Sequence, residues 1–60
     1  MMYLAYNAGD KHHCVTVLDN GDSIEEIHDW ETGKNTTVIT TEHLDENGVM
    51  TKVRHIKEQQ

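Results

Sequence analysis

Residues 22–33 read DSIEEIHDWETG, and two folds follow from two readings of this stretch. Ser23 followed three residues later by Glu26 has the form of a capping box. Ile24, Ile27 and Trp30 recur at helical spacing, and Gly33 stands where a helix would stop. On that reading the chain is ββαββ, with a short helix over residues 23–32. Ile, His, Trp and Thr are mediocre helix formers, however. A helix would also make an accident of the glycine pattern: Gly9, Gly21, Gly33 and Gly48 lie 12, 12 and 15 residues apart, in the turn-like tetrads NAGD, DNGD, ETGK and DENG. Turn signals at such regular spacing mark an antiparallel meander. We therefore read the stretch as a strand. The fold class is all-β, a five-stranded antiparallel meander that is either open or curled into a small open barrel.

The strands expected between the glycines are YLAY (residues 3–6), HHCVTVL (12–18), SIEEIHDW (23–30), NTTVITTEHL (35–44) and VMTKVRHI (49–56). Asn-Gly favours a two-residue hairpin. A tight turn at Asn20-Gly21 pairs Asp19 with Asp22, Val17 with Ile24, Cys14 with Ile27 and His13 with His28. Bulged turns at Gly33 and Gly48 pair Trp30 with Lys34, Glu26 with Val38, Leu44 with Met50 and Val38 with Ile56. Side chains alternate between faces. One face then collects Val15, Val17, Ile24, Trp30, Val38, Leu44, Met50 and Ile56, the expected core. The other carries Cys14, Leu18, Ile27, Ile39 and Val53, an apolar patch that a second copy would cover in a homodimer.

The chain has 60 residues and reads as a single small domain, residues 1–60. A chain of this size buries only about 60% of its unfolded surface, so a partner, a metal or disulfides usually support it. Cys14 is the only cysteine, which excludes an internal disulfide and suits a reducing compartment. MMYLAYNAGD at the start has neither the basic residues nor the long apolar core of a signal peptide. No apolar run is long enough to span a membrane. A cytoplasmic location is the expectation.

Charge is the least ordinary property. Between Asp19 and Glu46 stand nine acids against the single base Lys34, net −8, whereas residues 50–60 carry Lys52, Arg54 and Lys57 against Glu58. Direct binding to nucleic acid needs clustered Lys and Arg, so this chain is not expected to make it. A basic protein partner is expected instead. Carboxylates on a rigid sheet imitate a phosphate track, and Asp19, Asp22, Glu25, Glu26, Asp29 and Glu31, with Trp30 as an anchor, are the candidate partner-binding residues. This is the character of an acidic inhibitor or adaptor on a nucleic-acid-binding protein, such as a phage or mobile-element accessory protein. The alternative is a self-associating structural module.

Catalysis, cofactors and metals are not expected. Cys14, His28 and Asp29 have the residue types of a thiol triad, but a meander of this size offers little cleft. His12, His13, Cys14 and His28 include good zinc ligands, yet His13 and Cys14 point to opposite faces of a strand and no familiar ligand spacing is present. The histidines read as incidental, with a charge-repelling His13–His28 pair as a pH-responsive option.

Overall fold

The computed structural model describes all 60 residues. Five strands follow one another along the chain: β1 (Met2–Ala8), β2 (Lys11–Val17), β3 (Ser23–Asp29), β4 (Asn35–Leu44) and β5 (Met50–Gln59). They pair antiparallel in the order β1-β2-β3-β4-β5. The sheet is open, with β1 and β5 as free edges, so the barrel alternative is not adopted. The chain contains no helix, so none is long and apolar enough to cross a membrane.

The disputed segment is extended. Ser23 opens β3 rather than capping a helix, and Ile24 and Ile27 fall on opposite faces of the sheet. Two neighbours already in extended form, β2 and the β-branched run of β4, offer this segment a complete set of backbone partners. A helix would leave β4 without its inner neighbour.

The turn chemistry corrects the expected register. At Leu18–Asp22 the Gly21 N–H donates to the Leu18 carbonyl (3.0 Å) and the Leu18 N–H donates to the Asp22 carbonyl (2.8 Å). This is a three-residue loop, a type I turn closed by a left-handed residue, rather than a two-residue turn. The reason is local. Gly21 alone adopts positive φ, +94°, while Asn20 stays in an ordinary conformation and accepts the Asp22 N–H on its side-chain oxygen (3.0 Å). The loop also keeps Asp19 and Asp22, two like charges, from facing each other across the hairpin. A β1–β2 turn at Gly9-Asp10 and a four-residue loop at Trp30–Gly33 complete that half of the sheet, the latter pairing Asp29, not Trp30, with Lys34. The β4–β5 turn at Gly48 takes the expected form, with Leu44 opposite Met50 and Val38 opposite Ile56.

Each corrected turn shifts its register by one residue, and a shift of one exchanges faces. His12, not His13, lies opposite His28, Cys14 lies opposite Glu26 and Glu25 opposite Val38. One face therefore carries Leu4, Tyr6, Val15, Val17, Ile27, Val38, Leu44, Met50 and Ile56. Ile24 has moved to the other face, beside Cys14, Ile39 and Val53, while Leu18 and Trp30 lie outside the strands.

The chain makes 37 backbone hydrogen bonds, 30 of them between strands, close to the roughly 40 of an ordinary 60-residue domain. Yet Val38, 7% exposed, is the only buried residue. The backbone ladder is nearly complete while the core is nearly empty. Because the ladder depends on the turns, Gly21→Ala, which forces a Cβ into a left-handed conformation, is expected to destabilise the sheet by about 1–2 kcal/mol. Chemical denaturation with far-UV circular dichroism measures it, and an unchanged midpoint would count against the turn assignment.

Candidate functional site

Two surfaces stand out, one on each side of the sheet. The first is the apolar face. Its central row runs Leu4, Val15, Glu25, Val38, Ile56 from edge to edge. Ile56 is 63% exposed although it adjoins the one buried side chain. Every acid on this face has its own cation or imidazole. Glu25 meets His13 Nδ1 at 3.2 Å, Asp29 meets Lys11 Nζ at 3.8 Å, Glu42 meets Lys52 Nζ at 3.3 Å and Glu58 meets Lys34 Nζ at 2.8 Å. His13 is further held by a stack on Tyr6, with ring centroids 4.7 Å apart and planes 2° from parallel. The face is thus apolar along its middle and charge-compensated around it.

The second surface is a depression of about 410 Å³ on the polar face, lined among others by His12, His28, Cys14, Glu26, Asn35 and Tyr3. One cross-sheet row passes through it: Asn7, His12, His28, Asn35, Gln59. The Nδ1 atoms of His12 and His28 lie 2.7 Å from the side-chain oxygens of Asn7 and Asn35 respectively. Trp30, first residue of the β3–β4 loop, meets His28 in a T-shaped contact (ring centroids 4.4 Å apart, planes at 76°), and its ring centroid lies 6.4 Å from that of His12. The Cys14 thiol beside the Tyr3 phenol raises the phenol's pKa above its ordinary value, and Glu26 acts in the same direction.

The acidic residues singled out from the sequence are distributed around the sheet rather than gathered. Asp19 and Asp22 belong to the β2–β3 turn at one end, and Trp30 and Glu31 to the β3–β4 loop at the other. Asp19 pairs with the chain's terminal amino group. Asp22 accepts the Glu42 N–H (3.0 Å), bracing its turn against β4. Glu25 and Glu26 take opposite faces. The four connections between strands hold Asp10, Asp19, Asp22, Glu31, Asp45 and Glu46 against Lys34, net −5 of the chain's −6. Negative charge is therefore a property of the rim, and both faces are close to neutral.

Sequence reasoning missed the His12–His28 row because the register of β2 and β3 was set one residue away. The signal was present: a two-residue turn would have put Asp19 against Asp22, whereas a three-residue loop separates them. Comparisons with described protein families, curated proteins and solved structures find no match to this chain.

Asp29 accepts the Glu31 N–H (2.9 Å) and the Thr32 N–H (3.3 Å) on one carboxylate oxygen. These two backbone donors hold its pKa below the ordinary 3.8, with Lys11 and His28 adding smaller contributions. The carboxylate's stabilisation of the loop is fully present above the ordinary aspartate value and is lost as pH falls through the lowered one. NMR titration should find Asp29 ionised to a lower pH than the ordinary aspartate value of 3.8. An ordinary value would mean that the two loop bonds do not persist in solution.

Proposed function

We propose that the protein is a non-catalytic structural and binding module whose apolar sheet face is covered by a second copy of the same chain. The observation carrying this reading is the single buried side chain beneath an otherwise complete sheet. Stable domains pack at least two layers around a core, and this chain supplies one. The missing area fits a dimer. The chain exposes 4657 Å², whereas a compact monomer of 6.9 kDa exposes about 4,000 Å². The excess of roughly 650 Å² per chain approaches the ~800 Å² per partner of a standard interface.

Charge favours a like partner. A second copy brings a face on which each carboxylate already has its own counter-group, and the acidic rims of two stacked sheets point into water. Glu25, central in the contact, remains hydrogen-bonded to His13. The exposed apolar area of Leu4, Leu44, Met50 and Ile56 drives the association.

Light scattering and sedimentation test this directly. The wild-type chain is expected to run at twice its 6.9 kDa mass, with a melting temperature that rises with concentration. Leu4→Lys and Ile56→Lys replace exposed side chains, so they would scarcely affect a monomer. In the dimer they are expected to weaken association by at least roughly tenfold, about 1.4 kcal/mol. A strict monomer with concentration-independent melting would overturn the reading.

A second reading rests on the rim. The end formed by the β2–β3 and β4–β5 turns carries Asp19, Asp22, Asp45 and Glu46 with no Lys or Arg among them, the terminal amino group beside Asp19 being their one cation. It supports docking on a basic, nucleic-acid-binding protein as a nucleic-acid mimic, with Asp29, Trp30 and Glu31 at the far end as a separate contact. Such binding should weaken steeply with salt and with Asp19→Lys and Asp45→Lys. A partner captured from lysate whose retention ignores both would exclude this mode.

A further inference from the structure

We propose that His12 and His28 form a cross-strand chelate for a borderline divalent transition-metal ion of the Zn²⁺ or Ni²⁺ class. The two residues are direct partners on β2 and β3 and share the polar face. Opposed side chains of an antiparallel pair begin about 5 Å apart at Cβ, a separation that two imidazoles close over one ion.

The flanking asparagines make the pair a pair of ligands. His12 Nδ1 lies 2.7 Å from Asn7 Oδ1 on β1, and His28 Nδ1 lies 2.7 Å from Asn35 Oδ1 on β4. An amide oxygen only accepts, so each Nδ1 carries a proton, and in the neutral imidazole each Nε2 presents its lone pair. Asn7 and Asn35 sit on the outer sides of the two histidines, so the Nδ1 edges turn away from each other. Within an imidazole, Nε2 lies on the side opposite Nδ1. Both lone pairs are therefore turned inward, over the line between β2 and β3. Ring N–H held by a carbonyl and the other nitrogen left bare is the usual state of a metal-ligating histidine, fixed before the metal arrives. Trp30, in T-shaped contact with His28 and near His12, walls one side of the pair.

The ligand chemistry selects the ion. Imidazole nitrogen suits Zn²⁺, Ni²⁺ and Cu²⁺ over Mg²⁺ or Ca²⁺. No third Asp, Glu, Cys or His converges with the pair, so water fills the remaining positions and the site is open rather than closed. The other histidines are arranged differently. His13 is bound to Glu25 and stacked on Tyr6 on the opposite face, while His43 and His55 lie opposite Thr51 and Ile39. The chelate lies on the face that the dimer reading leaves uncovered, so it is independent of that reading.

Trp30 is the only tryptophan, which gives the experiment its readout. Untagged protein is titrated with Ni²⁺ and followed by calorimetry and Trp30 emission. Saturable binding of one ion per chain with quenching is expected, reversed by Zn²⁺, whose filled shell does not quench. His12→Ala and His28→Ala should each remove it, and the double variant Asn7→Ala/Asn35→Ala should weaken it roughly tenfold with the sheet intact by circular dichroism. His13→Ala should leave it unchanged. In the unmodified protein, Ni²⁺ should broaden the ring resonances of His12 and His28 ahead of those of His13, His43 and His55, a result that needs no variant to fold. No saturable binding up to about 1 mM Ni²⁺, binding that survives loss of either histidine, or broadening that begins at another histidine would overturn the proposal.

Discussion

A β-sheet satisfies its backbone along its edges and its side chains across its faces, and these are separate requirements. Here the first is met and the second is not. Four antiparallel ladders pair the strands from β1 to β5, yet only Val38 is withdrawn from water. Hydrogen bonding gives little net stability per bond in water, whereas burial of apolar surface is the main favourable term in folding. A single layer lacks that term. The exposed side chains of Leu4 and Ile56, on the face where Val38 alone is buried, are the feature on which a functional account of this chain depends, because a surface laid over them would supply that term.

Turn geometry governs everything that the faces then display. Gly21 takes the left-handed conformation and Asn20 does not, which makes the β2–β3 loop three residues long. One residue more or less in that loop would turn β3 over relative to β2, exchanging Ile24 with Ile27 and placing His13 in place of His12 opposite His28. The His12–His28 pair, its flanking asparagines and the apolar face with its compensated charges all follow from this register. Asp22 reinforces it by accepting the Glu42 N–H from two strands away, tying the loop to β4.

The acidity finds a different explanation in three dimensions than along the chain. Side chains at the turns project beyond the ladders into solvent, where like charges are separated and screened. Placing most of the net charge there leaves the faces near neutral and able to meet other surfaces. The same arrangement discourages end-to-end association while leaving face contact open. On β5 the exposed edge carries Lys52, Arg54 and Lys57, the ordinary protection of an edge strand. β1, at the other edge, carries no charged side chain.

The sequence by itself determined the element type and order. Glycines at near-regular intervals, with β-branched runs such as NTTVITT between them, specify a five-strand meander, because turn conformation and strand propensity are local properties of the backbone. The β4–β5 register was legible too, since DENGV admits one favourable loop. Tertiary structure decided the rest. LDNGD admits two loops that differ by one residue, and choosing between them depends on contacts made elsewhere, Asp22 to β4 among them. Whether residues 23–32 coil or extend likewise depends on partners that only the assembled sheet provides. Face composition and the pairing of His12 with His28 are both consequences of register. Register is a relation between strands, and a composition pattern along one strand does not contain it.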